Sequence, residues 1–135
     1  MTPDELRGLP LFSRLSDAGL ERVAACIGEL EAEPGQVLTL PGDPGSGMFV
    51  ILEGKVKVEA RREMYELGPG DFFGELSLLS PGTERVARVR AATEVRCIGL
   101  PRDQALALIE SEPTLALAML RELARRLADA VDGQP

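Results

Sequence analysis

The run Phe73-Gly74-Glu75-Leu76-Ser77-Leu78-Leu79, followed by Arg85-Val86-Ala87, carries the residue types needed to hold a phosphorylated sugar. A glycine ahead of a short apolar turn lets backbone N–H groups converge on an anion, because the first turn of a helix leaves its donors unpaired and carries partial positive charge. Glu75 offers an acceptor for a sugar hydroxyl, and Arg85 offers a planar cation for phosphate. Alone, Glu75 or Arg85 would read as an ordinary surface residue. Together, at this spacing and in this apolar setting, they read as a binding site. Ser77 is explained equally well by the tight turn.

No catalytic group accompanies them. The chain has no histidine, so it lacks the commonest general base and metal ligand, which excludes the usual triads and most zinc sites. Asp43, Asp71, Asp103 and Glu75 supply carboxylates without the spacing of a metal loop. Cys26 and Cys97 are expected as buried thiols rather than a disulfide or redox pair. An enzyme is therefore not expected, nor a resident cofactor. The net charge of −7 and the lack of a basic stripe argue against direct nucleic-acid binding. Arg61-Arg62-Glu63 reads as a solvated turn. No apolar run reaches membrane-spanning length, and the polar start Met1-Thr2-Pro3-Asp4-Glu5 is not a secretory signal. A cytoplasmic location without membrane insertion is the default expectation.

The elements around the motif suggest a mainly β container with flanking helices. From Gln36 to Leu100 short apolar stretches alternate with turn residues: 37–40, 48–52, 56–59, 64–67, 86–91 and 95–100, separated by Pro41-Gly42-Asp43-Pro44-Gly45, Glu53-Gly54 and Gly68-Pro69-Gly70-Asp71. That punctuation fits a sandwich or roll. Before it, Ser16 can cap a helix bearing Leu20, Val23, Ala24 and Ile27 on one face, with Gly28 as its stop. After it, a helix from Pro101 to about Ser111 should carry Leu106 and Ile109 inward, and Glu112-Pro113 should break it. The last helix runs from about Thr114 to Val131. A chain of 135 residues suits one domain over 1–135, comprising an N-terminal helical part (1–35), a β-roll (36–100) with the motif at 73–87, and C-terminal helices (101–135).

The motif resembles the phosphate-binding cassette of the cyclic nucleotide-binding domain family, whose usual form is roughly FGE(L/I)(A/S)LL, a short loop, then R(T/S)A. Gly74, Glu75, Leu76, Arg85 and Ala87 match, and Ser77 occupies the small-residue slot. The segment from Pro41-Gly42-Asp43 through Met48 to Val58 is similar to the first half of that family's β-roll or jelly-roll. The resemblance implies that the glutamate accepts the ribose 2′-hydroxyl and that the arginine pairs with the cyclic phosphate. The next residue in the family often adds a hydroxyl contact, and here it is Val86. Losing such a bond to a charged phosphate should cost about 1.5–3 kcal/mol, or ten- to a hundredfold in affinity. The backbone N–H groups of Val86 and Ala87 remain as donors.

Ala124-Arg125-Arg126-Leu127 likewise resembles the start of the dimer helix in bacterial cyclic AMP receptor proteins. The positions where hydroxyls there contact adenine correspond to Ala130 and Val131, and neither can donate. Arg121 and Arg125 are more readily explained by solvent or helical acids than by a base. The resemblance implies a sensor module without a DNA-binding domain, with cyclic AMP weakly preferred and cyclic GMP the other candidate. The ligand would reposition the C-terminal helix and change the binding of a protein effector. The alternative is a degenerate roll used as a ligand-independent interaction or dimerisation scaffold. Leu117, Leu120, Ala124, Leu127 and Val131 step by three and four along the last helix, beside Met119 and Leu123, so a homodimer through 114–131 is expected over a helix that only folds back on its own domain. The chain ends at Asp132-Gly133-Gln134-Pro135 without an output domain, either as a free-standing sensor or as a fragment of a longer chain.

Overall fold

The structure, a computed structural model, describes residues 1–39, 47–60, 64–75, 79 and 87–132. The chain divides into two compact units: Ala25–Leu106, and Met1–Ala24 together with Ala107–Pro135.

Among the described residues, the first unit is built on eight strands. They are β1 (Gly28–Ala32), β2 (Val37–Thr39), β3 (Gly47–Glu53), β4 (Val56–Glu59), β5 (Met64–Leu67), β6 (Phe72–Phe73), β7 (Arg88–Ala91) and β8 (Val95–Pro101). Two four-stranded sheets result, ordered β1-β8-β3-β6 and β2-β7-β4-β5, and every pairing is antiparallel. The non-consecutive neighbours are those of a roll rather than a simple meander. Ile51, Val56, Val58, Leu67, Phe73, Val89, Ala91, Val95 and Cys97 form its buried core, with Leu38, Phe49 and Ala87 packed against it.

Period-2 patterning is clearest in β4 and β7. In β4, Val56 and Val58 are buried, while Lys57 and Glu59 face the other way. The turn into β4 depends on Gly54, whose φ of 88° suits glycine. A Cβ there would stand 2.1 Å from the Glu94 carbonyl oxygen. Residues 28–32, expected within an N-terminal helical part, instead form β1. This strand pairs with β8 from Gly28↔Gly99 to Ala32↔Val95, and its acidic side chains suit an exposed sheet edge.

The second unit is helical. It contains α1 (Pro3–Arg7), a 3₁₀ turn at Pro10–Phe12, most of α2 (Asp17–Cys26), the end of α3 (Arg102–Ser111), and α4 (Pro113–Asp132). Thr2 and Glu5 form a capping box on α1. Ser16 caps α2 as expected, accepting the Gly19 N–H at 3.0 Å, and its hydroxyl donates a hydrogen bond to Glu112 Oε1. Arg22 Nη2 donates to Ser111 Oγ at 2.8 Å, and Thr114 Oγ1 to the Arg14 carbonyl at 3.0 Å. These bonds tie the α3–α4 junction to α2 and the segment before it. The inward face of α3 differs from expectation: Ala105 and Leu108 are buried, while Leu106 and Ile109 are only partly covered.

Candidate functional site

The glycine and glutamate of the motif are placed by a turn, between β5 and β6, that is locked onto β3. Asp71 Oδ2 accepts the Gly68 N–H at 2.8 Å, and the Asp71 N–H returns to the Gly68 carbonyl at 3.0 Å. The Gly70 N–H donates to the Ile51 carbonyl at 2.8 Å, and the Ile51 N–H to the Asp71 carbonyl at 2.9 Å. β6 then pairs Phe72 with Val50 and Phe73 with Phe49. The two phenylalanine rings stack with centroids 5.1 Å apart and planes 19° from parallel, an arrangement that adds to simple burial.

Gly74 follows with φ 90°, a left-handed conformation costly for any residue with a Cβ. This turn delivers Glu75, which is helical and only 6% exposed. A carboxylate at such depth is rare unless it is paired or hydrogen-bonded. At the far end of the motif, Ala87 is half-buried against the core, and its carbonyl accepts the Thr39 hydroxyl at 3.3 Å. Leu76, Ser77, Arg85 and Val86 lie outside the described residues. Thr39 was not singled out from sequence. Its only signal there is a hydroxyl inside the otherwise apolar run Val37-Leu38-Thr39-Leu40.

Beyond Ala87 the polar side of β7 turns away from this core. Arg88 Nη2 and Arg90 Nε each reach Glu59 on β4, at 2.8 and 2.9 Å. The Arg88 hydrogen bond, and after it that of Arg90, holds the Glu59 carboxyl below its ordinary 4.5. Glu59 lies opposite Arg88 in the ladder and diagonal to Arg90, which is the geometry for cross-strand charge pairing.

On α4, Arg125 binds Glu122 at 2.6 Å and Asp129 at 2.9 Å, while Arg126 binds Glu122 at 3.1 Å. Arg125 foremost, with help from Arg126, lowers the Glu122 pKa. These are pairings with helical acids, as expected. Ala130 is partly covered and Val131 exposed.

The thiols differ from each other. Cys97 is fully buried, and desolvation pushes its pKa up to about 11, leaving it inert at neutral pH. Cys26 is only partly covered rather than buried, and neither forms a disulfide. Among the described residues no group of three or more Cys, Asp or Glu is placed to hold a metal ion. None of the described helices is long and apolar enough to cross a membrane.

A family model described as "Cyclic nucleotide-binding domain" matches residues 29–112. A CRP-like cAMP-activated global transcriptional regulator from Mycobacterium tuberculosis is 32% identical over 123 residues, 87% of this chain and 54% of that protein. A cyclic nucleotide-gated potassium channel from Mesorhizobium japonicum is 39% identical over 108 residues, 80% of this chain and 30% of the channel. The chain thus spans about half the length of the regulator and less of the channel. Among solved structures, the N-terminal domain of a transcriptional regulator from Streptomyces coelicolor superposes with a TM-score of 0.66 at 36% identity, covering 96% of each chain. The two antiparallel sheets with flanking helices are the jelly-roll architecture of these neighbours.

Proposed function

The chain belongs to the cyclic nucleotide-binding domain family, and we propose that it works as a cytoplasmic sensor taking cyclic AMP in preference to cyclic GMP at the cassette 73–87. The observation that carries this reading is Glu75, a carboxylate held at 6% exposure immediately after a left-handed glycine. In this reading Glu75 accepts the ribose 2′-hydroxyl, Arg85 neutralises the cyclic phosphate, and Gly74, Leu76, Ser77 and the amides of Val86 and Ala87 complete the cradle. Val86 removes a hydroxyl that would assist guanine, so the preference for cyclic AMP arises by subtraction. The names of the Mycobacterium tuberculosis regulator and the Mesorhizobium japonicum channel support the ligand class. The output is a repositioned α4 that changes the binding of a protein effector. That requires the ligand to favour one helix position over the other in free energy.

Calorimetric titration with cyclic AMP, cyclic GMP and a cyclic dinucleotide tests the reading. The expected result is measurable heat with cyclic AMP, weaker heat with cyclic GMP, and loss of both on Arg85→Ala. No heat and no thermal shift at millimolar cyclic AMP and cyclic GMP overturns it.

One observation favours a second, scaffold role. Leu117, Leu120, Leu127 and Val131 are 44%, 64%, 66% and 60% exposed, along the three-four spacing of α4, while Leu115 and Met119 on its other side are buried. A second copy of the chain, joined helix to helix, would cover that stripe. Light scattering should give a dimer mass that Leu120→Glu with Leu127→Glu reduces to the monomer. A monomer at high micromolar concentration in the unmodified chain ends the dimer proposal.

A further inference from the structure

Among the described residues, two polar or charged side chains are buried: Glu75 and Thr39. Glu75 belongs to the cassette, whereas Thr39 arrives from another strand. β2 pairs Val37 with Arg90 and Thr39 with Val89, so Leu38 is an extra residue in the ladder. In an uninterrupted strand, residues 37 and 39 would face the same way. The bulge reverses this. Val37 follows Arg90 to the outer face and stays 39% exposed, while Thr39 follows Val89 inward and is 6% exposed. Burial alone would select the opposite arrangement, with the valine inside and the hydroxyl outside. Bulges recur beside binding sites because they re-aim one side chain.

Once inside, the hydroxyl has a defined partner. Thr39 Oγ1 donates to the carbonyl of Ala87, two residues before its ladder partner Val89. Ala87 closes the cassette and follows Arg85 by two residues in the chain. The side chain therefore adds a bond from β2 to the peptide of Ala87, two residues from Val89, the ladder partner of Thr39. We propose that Thr39 is a positioning residue for the phosphate arm of the cassette: the bulge turns it inward so that its hydroxyl holds the chain leaving Arg85. This rests on the reading of 73–87 as a nucleotide site. It gives a reason for a polar side chain that the fold alone would not place there.

The bond, at 3.3 Å, is long for a hydroxyl donor. Its removal should weaken cyclic AMP binding about three- to tenfold rather than abolish it. Thr39→Val keeps the shape and deletes the hydroxyl; Thr39→Ser keeps the hydroxyl. Calorimetry with cyclic AMP should show the loss in Thr39→Val and its recovery in Thr39→Ser. The thermal midpoint of unliganded Thr39→Val should equal or exceed that of the unmodified chain. In double-mutant cycles the loss should shrink when Arg85 is replaced by lysine and persist in full with Glu75→Gln.

Unchanged affinity in Thr39→Val, no recovery in Thr39→Ser, or an equal loss in the Arg85→Lys background overturns the proposal. If the unmodified chain takes up no cyclic AMP, the nucleotide reading fails, and the hold on the arm is judged separately by hydrogen exchange in the unliganded protein. Faster exchange of the amides of 87–90 in Thr39→Val supports it, and unchanged exchange overturns it.

Discussion

β4 and β2 flank the same strand, β7, and β7 imposes the same inside and outside on both. β4 complies residue by residue: Val56 and Val58 lie opposite Ala91 and Val89 on the buried face, and Lys57 and Glu59 lie opposite Arg90 and Arg88 on the outer face. β2 reaches the same partner through a bulge and puts a valine outside and a threonine inside. The strand that keeps the pattern serves the fold. The strand that breaks it bonds through Thr39 to the carbonyl of Ala87. Binary patterning identifies residues that stabilise a sheet, and its local failure at Thr39 is what motivates the positioning role proposed above.

The largest effect should come from forcing a polar group onto the compliant strand. Val56 is fully buried on a strand whose register is regular against both neighbours. Val56→Asp should destabilise the chain by about 4 kcal/mol or more, through an unpaired carboxyl in the core. Urea unfolding should show a much lower midpoint or no cooperative transition. A loss below about 1 kcal/mol would mean that the inner face of β4 tolerates polarity as β2 does, and the contrast would collapse.

A smaller loss is expected at the turn that sets β4 in register. Gly54→Ala places a Cβ against the Glu94 carbonyl oxygen in a backbone with φ 88°. It should cost about 1–3 kcal/mol in the same urea assay. A neutral result would show that the regularity of β4 does not depend on this turn.

The comparison also explains what could be read from the chain in advance. β3, β4 and β8 announce themselves by apolar residues bounded by turn signals, because their pattern and their burial agree. β1 does not: Gly28-Glu29-Leu30-Glu31-Ala32 has the composition of an exposed edge, and it becomes a strand because β8 pairs with it from far along the chain. For α3, Leu106 with Ile109 and Ala105 with Leu108 both repeat every three residues. Spacing could not choose the face, and packing selected the second pair. The proposed cassette stands out as a motif because its residues are contiguous or nearly so. Thr39 does not, since its inward aim is a property of register between β2 and β7 rather than of either segment alone.

The smallest effect separates the polar groups of the two strands by pH. Arg88, and then Arg90, lowers the folded-state pKa of Glu59 below 4.5. The unfolded chain therefore binds the proton more readily, and this cluster contributes stability above pH 4.5 that is lost as pH falls through the lower folded value. Solvent near these side chains keeps the contribution modest. In denaturant titrations across this acid range, Glu59→Gln should flatten part of the decline in stability while leaving its slope above pH 6 unchanged. Thr39→Val should leave the slope unaltered throughout, because a hydroxyl carries no proton equilibrium there. If Thr39→Val altered the slope as Glu59→Gln does, the inward hydroxyl would be coupled to the outer charges, and β2 and β4 would no longer divide placement at the site from stabilisation of the sheet.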